Sequence, residues 1–240
     1  MGSFYNVLGL RIVKRESIIK PKSHCEKCGH VLSWYELIPI FSYIFLKGRC
    51  RNCKTKLSFL YLFSEFFCGV LFAISFYSFG FAPELIISLT LSSLLIIVTV
   101  SDITYMIIPD RFIIISAVLI LLTKLIFFGF STFLNALLSG ILAFGVMYLI
   151  MKFGDYIFKK ETLGGADVKL MFVVGVTVEP FLALLVIIIA SMIALPISLV
   201  LLVKEREHAI PFGPFIVIGV LIVFLTKLDG YKIIEYLLGK

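Results

Sequence analysis

The chain has 240 residues, 60% of them apolar and only 15% charged, with a mean hydropathy of +1.09 and a formal net charge of +7. Soluble domains carry about 25% charged residues and about half apolar ones. That excludes an ordinary soluble globular protein and leaves a membrane protein whose number of crossings is open.

Residues 1–10 are mostly apolar and are followed by Arg11, Lys14 and Arg15. Ten residues are too few to cross a bilayer, which takes roughly 20. No basic segment precedes them, as a cleavable signal peptide requires. They read either as a re-entrant stub or as the end of a first helix that begins upstream, and the second is preferred. The expected organisation is therefore a stub at 1–13, a four-cysteine domain at 14–58 and a transmembrane core at 59–240.

Residues 11–56 hold 11 of the 22 Lys and Arg against Glu16, Glu26 and Glu36, a net +8, so the remainder sums to −1. Between hydrophobic segments, such a block is read as a cytoplasmic loop rather than a nucleic-acid surface, because cytoplasmic loops are rich in Lys and Arg. Cys25-Glu26-Lys27-Cys28 and Cys50-Arg51-Asn52-Cys53 lie within it. Two such knuckles give four thiolates for one tetrahedral zinc. A pair of disulfides is the rival, disfavoured where thiols stay reduced. A loop this short has little core, and metal binding would supply its folding energy. Trp34, Tyr35 and Phe41 between the knuckles read as core or membrane-interface aromatics. Cys68 stands alone and reads as a packing residue.

Apolar runs at about 59–80, 84–101, 112–130, 132–151, 181–203 and 211–226 are long enough for spanning helices. A seventh, at about 169–179, is either a half-helix or the end of a span that starts in a glycine loop. Strand alternation is absent, so a barrel is not expected. With 11–56 inside, the turns 80–83, 129–131 and 179–180 fall outside and carry no Lys or Arg. The loops 102–111, 152–169 and 204–210 fall inside and all carry one or more. Lys124 lies within an apolar run and can snorkel toward a head group. The tail, with Lys227, Lys232 and Lys240, comes out outside.

Two acidic stretches stand out. In SDITYMIIPD, 101–110, Asp102 closes one span and Asp110 opens the next, with Pro109 at the break. In LGGADVKLM, 163–171, Asp167 follows Gly164, Gly165 and Ala166 and precedes an apolar run. Ionisable groups at membrane depth are costly and usually functional. The two glycines permit positive φ and close backbone approach, which suits a peptide lying across the turn. Asp102 and Asp167 fall on one membrane face. Two facing carboxylates share a proton and can divide the roles of base and acid in peptide hydrolysis. Lys169 is placed either to bias that titration or to snorkel.

These motifs resemble those of the bacterial type IV prepilin peptidases, which are membrane aspartic peptidases. The resemblance rests on GSFYNVLGLR (2–11), SWYELIP (33–39), LKGRCRNC (46–53), SDITYMIIPD, GGADVKLM and IPFGPF (210–215). It implies an all-α, polytopic helix bundle with a cytoplasmic zinc-knuckle loop, in the bacterial cytoplasmic membrane. It makes Asp102 and Asp167 the catalytic pair and leaves Asp110 part of the pattern without a catalytic role. Ala166 stands where the family usually has glycine, which bears on substrate fit. The implied substrates are prepilins or pseudopilins, met at the lipid surface and cut after a glycine and before a hydrophobic helix. The implied second activity is N-methylation of the new amino terminus with S-adenosylmethionine. No glycine-rich nucleotide loop of the usual methyltransferase kind is visible. The competing readings are a cleavage-only peptidase, an ion-coupled transporter using the same aspartates, and a zinc-binding assembly factor without chemistry.

Overall fold

The computed structural model describes residues 2–25, 27–159, 163–203 (backbone only for 201–203), 211–228 and 230. The loop at 204–210, with Ile210 of the last motif, and Lys232 and Lys240 of the tail lie outside them. The described chain is helical: α1 (Gly2–Arg11), a 3₁₀ turn (Trp34–Leu37), α2 (Phe41–Phe45), α3 (Phe59–Phe79), α4 (Glu84–Tyr105), α5 (Asp110–Phe128), α6 (Phe130–Phe158), α7 (Gly165–Thr177), α8 (Pro180–Val203) and α9 (Gly213–Leu225). Among the described residues no strand forms, and only two isolated bridges pair extended backbone.

Five helices, α3, α4, α5, α6 and α8, are long and apolar enough to cross a membrane. They account for five of the six expected spans. The sixth, 211–226, is α9, which has only 13 described residues. At 1.5 Å per residue that is about 20 Å, short of a full crossing. Two boundaries move. Helix α4 continues to Tyr105, so Asp102 sits inside its last turn, and Met106 closes the helix in the left-handed conformation at φ 54°. Helix α6 runs through Phe158, well into the expected loop. Lys152 and Asp155 read as loop residues in sequence, yet they extend a helix whose backbone already satisfies itself.

Helix α4 is central. It packs against α1, α3, α5 and α9, and its buried face carries Leu91, Leu94, Val98 and Val100. Between apolar helices in lipid, close backbone approach and hydrogen bonds do the joining. Both are present. Ser88 donates to Ser75 at 2.7 Å between α4 and α3. The 2–11 segment forms a helix seated on α3 and α4. Tyr5 and Ser93 share a hydroxyl hydrogen bond of 2.8 Å, and Ser64 donates to Asn6 at 2.7 Å.

The tightest joint is between α6 and α7. A Cβ on Gly175 would lie 2.5 Å from the Ser139 carbonyl oxygen and 2.7 Å from the Gly140 Cα. Only glycine lets these two backbones meet, and their meeting fixes where α7 begins and hence where Asp167 stands.

At the end of the bundle opposite Asp102, a cavity of about 710 Å³ opens among Glu84, Lys124, Asn135, Glu179 and Lys227. Lys124 does not snorkel to a head group. Its ammonium turns inward and donates to the Thr177 carbonyl at 3.0 Å, at the last turn of α7, where the dipole favours a cation. Lys227 lies at this same end, 5.1 Å over the Phe79 ring.

Candidate active site

Four helix ends converge at the other end of the bundle. Asp102 is buried in the last turn of α4. A carboxylate there faces the wrong end of its own helix dipole. The first turn of α9 corrects this, because the Gly213 amide donates to the Asp102 carboxylate. A Cβ on Gly213 would lie 3.2 Å from Asp102 Oδ2 and 2.4 Å from Ile108 Cδ1, so the approach depends on the missing side chain.

Asp167 sits in the first turn of α7, the favourable end for an acid, and is half-buried. It is close enough to Asp102 for the two charges to interact. The glycines before it work differently from expectation. Gly164 has φ −66° and caps α7 in extended conformation, and neither it nor Gly165 takes a positive φ. What Gly164 supplies is space: a Cβ there would lie 3.1 Å from Asp167 Oδ2. Among the described residues a Cβ on Gly165 would meet nothing within 4 Å, so that face beside Asp167 is open to them. Ala166 packs against the hydrophobic core.

Lys169 bonds both carboxylate oxygens of Asp110 at 2.8 Å, and both side chains are exposed. It is thereby engaged with Asp110 rather than with Asp167. The pair ties the first turn of α5 to the first turn of α7. Asp102, Asp110, Asp167, Gly164 and Lys169 are thus brought to one end. Gly213 joins them from a position 111 residues beyond Asp102, and the glycine of IPFGPF was its only trace in sequence.

The four-cysteine domain is rooted at the same end, with Lys14 5.9 Å over the ring of Tyr105, three residues past Asp102. Its two knuckles have one hydrogen-bonding plan used twice. Cys25 receives the Gly29 amide and donates to His30, and Cys50 receives Lys54 and donates to Thr55. Outside these, Leu32 donates to Ser23 and Leu57 to Gly48. Gly29 and Lys54, at matching positions, both take positive φ.

The four sulfurs lie within 4.8 Å of one another, with Cys25–Cys53 at 3.8 Å and Cys28–Cys50 at 3.9 Å. No disulfide forms among the described cysteines. A tetrahedral zinc with sulfurs about 2.3 Å away spaces them about 3.8 Å apart, so the donor set fits the ion. The Cys28 and Lys27 amides pull the Cys25 thiol below its ordinary value. The Thr55 hydroxyl and amide pull Cys53 down to about 6. At Cys28 the His30 amide pulls the same way, but burial and the three neighbouring sulfurs push it up to about 11. Four thiols this close resist shedding all their protons unless a cation sits among them. Beside the site, Glu36 is buried and accepts the Ser33 amide at 2.8 Å and the His30 imidazole at 3.2 Å.

A bundle of spanning helices with two carboxylates at one end and a four-thiolate domain beside them defines a multi-pass membrane protein of the aspartic-peptidase type. The bacterial A24 peptidase N-terminal domain matches residues 1–79, and the type IV leader peptidase family matches residues 89–199. The prepilin leader peptidase/N-methyltransferase of Bacillus subtilis is 34% identical over 94% of this chain and 90% of its own length. That of Myxococcus xanthus is 33% identical over 80% of this chain, which spans 57% of that relative. That of Vibrio cholerae is 28% identical, covering 94% and 92% of the two chains. The chain belongs to the type IV leader peptidase family. No solved structure matches it.

Proposed function

We propose that the chain removes leader peptides from prepilins or pseudopilins and then N-methylates the exposed amino group, as the names of its relatives describe. The observation that carries this is the convergence of Asp102 and Asp167, from α4 and α7, beside the open face at Gly165. We assign them as the catalytic pair. One carboxylate takes a proton from water, whose oxygen attacks the scissile carbonyl carbon. The other, protonated, gives its proton to the carbonyl oxygen; as the C–N bond breaks, the first passes the water proton to the leaving amine and the second recovers one from a gem-diol hydroxyl. Gly213 holds Asp102, Gly164 leaves room for Asp167, and Asp110 with Lys169 fixes the two helix starts. The exposed backbone at Gly164 and Gly165 receives the peptide, and the Ala166 methyl does not obstruct it.

In this reading residues 14–58 form a zinc-binding domain and 59–240 the peptidase core. The aspartate end faces the cytoplasm, since the basic segment lies there and cytoplasmic loops are Lys- and Arg-rich. The membrane is the bacterial inner membrane. Zinc, held by Cys25, Cys28, Cys50 and Cys53, is structural. S-adenosylmethionine supplies the methyl group, and no residue is assigned to it. A transporter using the same acids would place them near the midplane, whereas these sit at helix ends.

The test is incubation of the purified chain with a synthetic pilin-type precursor and S-adenosylmethionine. The expected products, read by mass, are the leader and a mature fragment heavier by one methyl. An intact precursor refutes the reading. The Gly213→Ala variant is expected to lose roughly 10- to 100-fold in kcat with KM little changed, because displacing a catalytic group by an ångström has that scale of effect. Steady-state kinetics on the same precursor measures it.

A further inference from the structure

We propose that the segment between the two cysteine knuckles is a membrane-docking face, seated in the headgroup region of the leaflet at the aspartate end. The inference does not depend on the peptidase reading.

Trp34, Phe41, Ile44 and Phe45 are 77%, 63%, 60% and 82% exposed. Of the two readings open for these aromatics in sequence, the core is therefore excluded. Phe41, Ile44 and Phe45 share one face of α2 at i, i+3 and i+4, and Phe41 and Phe45 line a groove with Tyr35, which Trp34 meets edge-on at 5.8 Å; contiguous apolar exposure of this kind marks an interaction surface.

Three observations identify lipid as the occupant. The first is depth. The Ile40 amide donates to Glu65 Oε2 at 2.8 Å. Glu65 is six residues past Phe59, the first residue of spanning helix α3, which is within about 9 Å of its start along the axis. The backbone just before α2 is thus held one to two turns down a membrane helix, at the level where headgroups meet acyl chains. The second is charge. Lys47, Arg49 and Arg51 are exposed around this segment, within a stretch of net +8. A basic rim around an aromatic face is what anionic interfaces attract. The third is shape. A groove of about 590 Å³ runs between Tyr35, Ile38, Phe41, Phe45 and Arg51. The Arg51 guanidinium stands over the Tyr35 ring and donates to its hydroxyl, which places one fixed cation at the rim of an apolar channel, as a phospholipid requires. Tyr and Trp are the side chains enriched at this depth.

Trp34 is the single tryptophan of the chain, so it reports on this face without mutation. The full chain is reconstituted in phosphatidylglycerol vesicles, with or without bromine on the acyl carbons nearest the headgroup. Trp34 emission is expected to fall by roughly half in the brominated vesicles and to resist aqueous acrylamide. In the double variant Phe41→Glu, Phe45→Glu, which alters exposed side chains only, bromolipid quenching is expected to disappear and acrylamide quenching to rise. Zinc content of the variant is measured to show that the knuckles stand. Free access of acrylamide to wild-type Trp34 with no bromolipid effect would overturn the proposal. Protection from both quenchers would also overturn it, by putting a protein partner or a second copy on the face. Bromolipid quenching that survives the double variant would show that Trp34 reaches lipid by another surface, with the same consequence.

Discussion

Asp102→Asn and Asp167→Asn are each expected to lower precursor cleavage by at least about 10³-fold while the protein still inserts and keeps its helicity. Asparagine keeps the shape of the carboxylate and its ability to accept a hydrogen bond. At position 102 it can still accept the Gly213 amide, so the packing of α4 on α9 should survive. What it cannot do is exchange a proton with water or with the other member of the pair. Removing either group therefore stops the same step, and the double variant should be little worse than either single one, because the two act as a unit. Asp110→Asn serves as the comparison. Its carboxylate is exposed and paired with Lys169, and exposed ion pairs contribute at most about 1 kcal/mol. It should retain cleavage within roughly 10-fold. The measurement is a time course of leader release with membrane insertion scored in parallel. Full activity in either the Asp102 or the Asp167 variant would remove that residue from the mechanism.

Chelation of zinc, or Cys50→Ser, is expected to unfold the four-cysteine domain and leave the bundle standing. Between the knuckles the polypeptide has one 3₁₀ turn and one five-residue helix, and a single isolated bridge closes each knuckle. Its apolar side chains point outward, and the buried residues there include Cys25 and Cys50 themselves. With so little core, a metal held by the four cysteines would supply the folding free energy, on the order of 10 kcal/mol in small zinc domains. The helical signal should change little, because most helical residues lie in α3 to α9. Proteolysis after Lys22, Lys27, Lys47 and Lys54 should accelerate by at least about 10-fold. Methylation is expected to be lost and part of the cleavage retained. Equal loss of both activities would mean that the domain also holds the peptidase site in shape.

Hydropathy was sufficient to find the five long spans, because a lipid-exposed helix must be apolar all round. It failed at α6 and α9 for opposite reasons. The end of α6 carries Lys152 and Asp155, so it looks like loop, although helix continues there. Helix α9 is apolar enough to look like a span, although its 13 described residues are too few. The knuckles were legible because metal geometry fixes their spacing, but their shared hydrogen-bonding plan was not, since it is written in backbone amides. Asp102 and Asp167 could be placed on one face from charge asymmetry alone. The contact of Gly213 with Asp102 could not, because a long-range approach through an absent side chain leaves no local pattern. The glycines at 164 and 165 show the related error. Neither takes the positive φ that glycine permits, and Gly164 serves instead by close approach, clearing volume beside a carboxylate.

The shortness of α7 sets the hydrophobic thickness of the protein at its centre. From Asp167 at one end to Thr177 at the other, where Lys124 and the polar cavity begin, the seal of Val168, Leu170, Met171, Val173, Val174 and Val176 is about 15 Å deep. The surrounding bilayer core is about 30 Å. The apolar layer at the centre of the bundle is therefore about half as deep as the membrane around it, and Asp167 stands at its rim.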